Sequence, residues 1–282
     1  MGLISYDDFT YLLGQPFVQN ALIACAVLGL VAGLLTPLVV SRGMSFAVHG
    51  TAELSFTGGA AALLFVGADY VGQGAVVGAV AAAALFGILG LRQRERDSVI
   101  GVVMAFGLGL GVLFLSLYQG RSANRFGLLT GSIVAVDGTN LWVLTGVTVL
   151  VLATLLVVYR PLLFASTDPE VALARGVPVR ALSLVFAVLI GLVAALAVPI
   201  VGAILVMAVM IVPGAAANRV TANPALATLL AVVIAEVGLL AGTVLSLLTN
   251  LPISGFVASI GFAAYLLCRL TARLRGRTPA RA

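Results

Sequence analysis

The chain has 282 residues, of which 62% are hydrophobic and only 9% charged, whereas a soluble domain carries roughly a quarter of its residues as charges. That balance excludes an ordinary soluble globular domain and identifies a polytopic membrane protein. The net charge of +5 comes entirely from arginine, with 15 arginines and no lysine, and these lie in short segments between apolar runs, so the charge reads as topology rather than nucleic-acid binding.

A helix needs about 20 apolar residues to cross a hydrocarbon layer of about 30 Å. In chain order such runs fall near residues 17–40, 44–65, 74–91 and 99–118. Residues 128–136 are apolar but too short to cross, and read as a re-entrant or interfacial piece leading to Asp137. A further run at 141–163 is followed by 181–216, long enough for two short spans with Pro199 at the expected break, because proline removes a backbone donor. Runs at 225–248 and 253–271 complete an all-α bundle of eight or nine spans, a single transmembrane domain over 1–282 with an arginine-rich tail at 272–282.

Cytoplasmic loops retain arginine. With the N-terminus outside and nine spans, Arg42, Arg92, Arg94, Arg96, Arg160, Arg175, Arg180, Arg219, Arg269, Arg273, Arg275, Arg277 and Arg281 fall inside, 13 of the 15; only Arg121 and Arg125 fall outside. This predicts a multi-pass protein of the cytoplasmic membrane with its C-terminus in the cytoplasm. The N-terminus carries Asp7 and Asp8 and lacks the positive start of a cleavable signal. Cys25 and Cys268 lie far apart in apolar runs and read as small packing residues. The pairs Gly29/Gly33, Gly74/Gly78, Gly107/Gly111 and Gly238/Gly242 have the spacing that lets helix backbones approach closely, without naming the partner helix.

Apart from tyrosines and cysteines, the ionisable groups left inside spans are His49, Glu53 and Glu236. At about 1.5 Å per residue from Arg42, Glu53 lies roughly 16 Å deep, near mid-bilayer. Glu236, eleven residues past Ala225, reaches the same level. An acidic group at a helix centre costs on the order of 2.5–3.5 kcal/mol, and intramembrane ionisable residues usually mark an ion or substrate path. His49 and Glu53 are four residues apart and share a helix face, so an imidazole and a carboxylate can turn toward one cation, with Glu236 as a candidate third ligand. Nitrogen and oxygen donors without a nearby thiol suit Zn²⁺ or Mn²⁺. H-x-x-x-E is not the H-E-x-x-H of a zinc protease, so hydrolysis is not indicated. Two other readings stay open. The three groups can be structural glue between helices, or a proton relay in a secondary transporter, with His49 tuning the two carboxyls.

Four stretches resemble the membrane permeases of zinc- and manganese-uptake ATP-binding-cassette importers. They are PFVQNALIACAVLGLVAGLLTPLVVSRGMSF (16–46), LLTGSIVAVDGTNLW (128–142), TDPEVALARGVPVRAL (167–182) and VGAILVMAVMIVPGAAANR (201–219), the last followed by a Leu-Pro-x-Ser-Gly element ending at Gly255. That family has Gly-Asp-x-x-x-His at the start of its second span, the aspartate and histidine serving as metal ligands. Here those positions hold His49 and Glu53 after Val48, so the donors are exchanged in order. The resemblance implies a second permease copy, two cytoplasmic ATPases and an extracytoplasmic metal-binding protein. It implies no resident cofactor, the metal (Zn or Mn, with iron as a further possibility) being cargo. Without lysine the chain has no G-x-x-x-x-G-K-[ST] phosphate loop and is not itself the ATPase. ATPase contact is expected at residues 213–224, or else at 166–178. A siderophore or vitamin permease of the same superfamily would be expected to have a wider, less metal-ligating path.

Overall fold

The computed structural model describes residues 11–89, 96–131, 138–249 and 251–275. Among these there is no strand, and eleven helices follow in order: α1 Pro16–Ser41, α2 Ser45–Phe65, α3 Val71–Leu89, α4 Arg96–Leu117, α5 Ser122–Thr130, α6 Gly138–Thr167, α7 Pro169–Ala174, α8 Val179–Val201, α9 Val206–Val220, α10 Pro224–Thr249 and α11 Ile253–Leu274. Single 3₁₀ turns, Ala68–Tyr70 and Ala203–Leu205, lead into α3 and α9.

Eight of these segments are long and apolar enough to cross a membrane. The exception among the long helices is α2, which has 21 residues but contains Ser45, His49, Thr51, Glu53, Ser55 and Thr57. Helix α2 is enclosed by protein: it packs on α3, α4, α8 and α9, and Thr51, Glu53 and Ser55 are buried. A polar helix is tolerated at this depth because protein surrounds it. Helix α8 is the other enclosed element; every residue from Leu189 to Val201 except Pro199 is buried. By contrast α4, α6 and α11 turn large apolar side chains outward, among them Val102, Phe106, Leu156, Val157, Phe262 and Leu267, as lipid-facing or partner-facing helices do.

Close glycine contacts set the packing. Gly74 and Gly78 of α3 lie against the α2 backbone at Gly58 and Leu54, and Gly107 and Gly111 of α4 hold Leu54, Phe56 and Thr57 of the same helix. Gly33 of α1 meets the backbone of Val232 in α10, and Gly242 of α10 meets Val257 of α11. Gly238 is buried, yet a Cβ there would meet nothing within 4 Å, so only one member of that fourth spacing makes a close contact.

Pro199 does not break the 181–216 segment. Helix α8 runs through it and stops three residues later at Gly202, whose φ of 85° lies outside the helical region. Proline in a last turn forfeits only one donor, whereas a positive φ turns the chain away, and glycine adopts it without a Cβ penalty. Pro37 lies inside α1 without ending it: the Thr36 hydroxyl donates to Gly33 O (3.2 Å), the carbonyl that proline leaves without its helical partner. Asn218 of α9 reaches across to donate to Pro37 O (3.3 Å).

The apolar stretch predicted at 128–136 begins within α5, a nine-residue helix too short to cross, which ends at Gly131 with φ 81°. Residues 132–136 and Asp137 lie outside the described residues, as do Asp7, Asp8, Arg92, Arg94 and the tail from residue 276. The remainder of the predicted tail, 272–275, belongs to the end of α11 and its cap.

Candidate metal site

His49 and Glu53 sit one turn apart on α2, and the structure brings them together. Nδ1 of His49 lies 3.9 Å from Glu53 Oε1, beyond hydrogen-bond reach. The Glu53 side chain is 8% exposed and that of His49 29%, so the pair opens toward one side through the imidazole. His49 Nδ1 and Glu53 Oε2 are both buried and have no hydrogen-bond partner. Two unpartnered polar atoms side by side are unusual, since buried polar atoms are normally satisfied. They form a nitrogen and an oxygen donor free to take a cation.

Interhelical bonding on this helix falls to another side chain. Thr57, one turn beyond Glu53, does that work: its hydroxyl lies 2.5 Å from Gly107 O of α4 and 2.8 Å from Glu53 O. Among the described residues, His49 and Glu53 make no such bond to a neighbouring helix.

Glu236 is placed differently. It stands midway along α10, with its carboxyl over Gly29, where a Cβ would come within 2.9 Å of its Cδ. Helix α10 packs on α1, α9 and α11, whereas α2 packs on α3, α4, α8 and α9, so Glu236 serves a different helix pair from His49 and Glu53. Among the described residues no three His, Cys, Asp or Glu side chains are grouped to hold a metal ion. Within one chain, then, the structure holds two of the three predicted donors together.

Two contacts were not foreseen from the sequence. Buried Cys25 of α1 lies 3.2 Å, Sγ to Oγ1, from Thr243 of α10, so a residue read as inert packing joins these two helices by a sulfur hydrogen bond. Arg42, read as a topology marker and depth reference, bonds two other helices. One guanidinium nitrogen donates to Ser166 Oγ (3.0 Å) and Leu162 O (3.5 Å) of α6, the other to Ser183 Oγ (2.7 Å) of α8, and the guanidinium stands 5.7 Å from the Phe186 ring centre. Nothing in the spacing of serines 124 and 141 residues downstream signals this.

Comparison with known proteins gives the arrangement a context. The chain is 28% identical over 260 residues to the manganese transport system membrane protein MntC of Halalkalibacterium halodurans, covering 92% of this chain and 88% of that protein. It is 34% identical over 202 residues to the manganese import system permease protein ScaB of Streptococcus parasanguinis, 71% of each chain. In three dimensions it superposes on the structure described as PsaBC from Streptococcus pneumoniae in complex with Fab with a TM-score of 0.83 at 25% identity, covering 96% of this chain and all of the other. Residues 14–272, nearly the full bundle from the start of α1 to the end of α11, match a single family, and on that match the chain belongs to the ABC 3 transport family.

Proposed function

We propose that the chain is the membrane permease subunit of an ATP-driven importer of a divalent transition metal, with manganese the first cargo to test. The observation that carries this reading is the His49–Glu53 pair, with two unpartnered buried donor atoms, on a polar helix packed between α3, α4, α8 and α9. Its relatives' names point to manganese, and a nitrogen and an oxygen donor without thiolate suit a borderline or hard divalent ion. Zinc and iron remain the competitors. In this reading the metal pauses at His49 and Glu53 after losing part of its water shell. Few donors favour release as well as entry, because a conducting site must bind weakly enough to leave.

Two donors do not fill a coordination sphere. We propose that the permease works as a homodimer and that the exposed side of His49 faces the path between copies, where a second pair or retained water completes the set. Glu236 is kept as a polar group of the α1–α10 interface that supports the path from outside the first coordination sphere. An extracytoplasmic metal-binding protein would deliver the ion, and the arginine-rich end of the bundle would face the cytoplasm.

The ATPase is proposed to dock on residues 166–178. Helix α7 is capped by Asp168, whose carboxylate accepts from the Val171 N–H (3.0 Å), and it projects Val171 and Leu173 into the open while Ala172 anchors it. The alternative, 213–224, starts inside α9, with Pro213, Gly214, Ala216 and Ala217 buried and Gly214 against Thr36 of α1, and its exposed residues, Asn218, Ala222, Asn223 and Pro224, include no large apolar side chain. Leu173→Asp is expected to strip the ATPase from the purified complex while the permease remains folded; full ATPase recovery would move the contact elsewhere.

The test of cargo is uptake into proteoliposomes holding the complex, with radiolabelled manganese and unlabelled zinc and iron as competitors. Manganese accumulation that needs ATP supports the proposal. Accumulation driven by a pH gradient without ATP would favour the proton-coupled reading.

A further inference from the structure

We infer that Arg42 is a positioning residue that couples the ATPase-docking segment to the metal pair, a role resting on the docking surface proposed above. Its contacts straddle that segment. Ser166 lies at the end of α6, where the 166–178 docking segment begins, and Ser183 lies in the first turn and a half of α8, just beyond its end. A single planar guanidinium takes an acceptor from each side of the segment. Both serine hydroxyls direct their own hydrogens inward along their helices, Ser166 to Leu162 O (2.6 Å) and Ser183 to Val179 O (2.9 Å), so their lone pairs are the groups presented to Arg42. Phe186, fully buried, supports the guanidinium with its ring face.

On the other side Arg42 is locked to the metal helix. It caps α1, where a cation also complements the helix C-terminus. The turn into α2 is short and stiff. The N–H groups of Arg42, Gly43 and Met44 bond to Leu38, Val40 and Val39 O, Gly43 has φ 61°, and Met44 is buried. This resembles the capping pattern in which a left-handed glycine closes a helix with backbone bonds. Helix α2 starts at the next residue, and His49 follows one turn on. A displacement of 168–178 that swings the ends of α6 and α8 therefore has two outcomes: it breaks the Arg42 bonds, or it carries the α1–α2 turn, and with it His49 and Glu53. Lysine would not substitute, because its single ammonium lacks the fork that spans two acceptors and the plane that stacks on Phe186.

The test compares the native complex with Arg42→Lys, Arg42→Met and the milder Ser166→Ala/Ser183→Ala pair, all assembled with the ATPase. Amide hydrogen exchange is read at 168–178 and at 45–53 with and without bound ATP. In the native complex ATP should alter exchange in both segments; in the variants it should alter 168–178 and leave 45–53 unresponsive. In parallel, metal moved per ATP hydrolysed should fall about twofold to thirtyfold, the span of effects seen for residues along coupled networks, with ATPase activity itself retained. If 45–53 still responds fully to ATP in all three variants, Arg42 is only a structural staple and the inference is overturned. If 168–178 is silent in the native complex, the docking proposal falls and the coupling role with it. An exchange response at both segments with no metal transport would refute the cargo reading alone, since this readout needs no metal.

Discussion

Glu53→Gln is expected to lower ATP-dependent metal uptake at least about tenfold at unchanged protein level and unchanged ATP hydrolysis. Outer partners of metal ligands already change affinity about tenfold to a hundredfold when removed, and a direct donor should not matter less. The amide keeps the volume and can still accept a hydrogen bond, so packing on α3 and α4 is preserved while the charge is lost. The same reasoning makes a stronger test available. His49→Asp with Glu53→His places carboxylate and imidazole in the order that the resembling family shows, still four residues apart. That double variant should recover transport lost in either single variant and shift the preference among manganese, zinc and iron. Full uptake by Glu53→Gln, measured in membranes with matched permease content, would remove the pair from the transport path.

The second large effect concerns packing. Gly33→Ala should lower the melting midpoint of the detergent-purified protein by roughly 2–12 °C, because a methyl there runs into the Val232 backbone and overpacking costs about 1–3 kcal/mol. Gly238→Ala, in a spacing indistinguishable by sequence, meets nothing within 4 Å. It should leave the midpoint unchanged or raise it slightly, since alanine is the better helix residue. Equal effects of the two changes, followed by fluorescence-detected thermal unfolding, would show that the α1–α10 contact does not hold the bundle together.

These two cases also mark how far the sequence could be read. Depth along a helix is linear in residue number, so the predicted runs 17–40 and 253–271 land within α1 and α11, and the mid-span positions of Glu53 and Glu236 follow from counting. Rotation about the helix axis and the choice of neighbour are not linear in sequence. Glu236 was therefore expected beside His49 and Glu53, yet it sits midway along α10 over Gly29, on another helix pair. His49 and Glu53 share a face by spacing alone, because both belong to one helix. The same limit explains the glycines: four identical spacings gave no hint that one member, Gly238, lacks a close contact. Pro199 misled because proline's missing donor is a local fact, while the actual end at Gly202 depends on a backbone angle. Arg42 carried a visible charge, but its serine acceptors are brought near only by the fold.

The polarity of α2 has a consequence for how the protein is made. A helix bearing a glutamate and a histidine gains too little from its few large apolar side chains to partition alone from the translocon into lipid. It must stay in the channel, or pair with α3 through Gly58, Gly74 and Gly78, until later helices arrive to shelter it. Tested alone between two glycosylation acceptors, segment 45–65 should therefore be translocated rather than integrated, and it should integrate when α3 follows it. Biogenesis and ion transport thus place opposing demands on the same 21 residues.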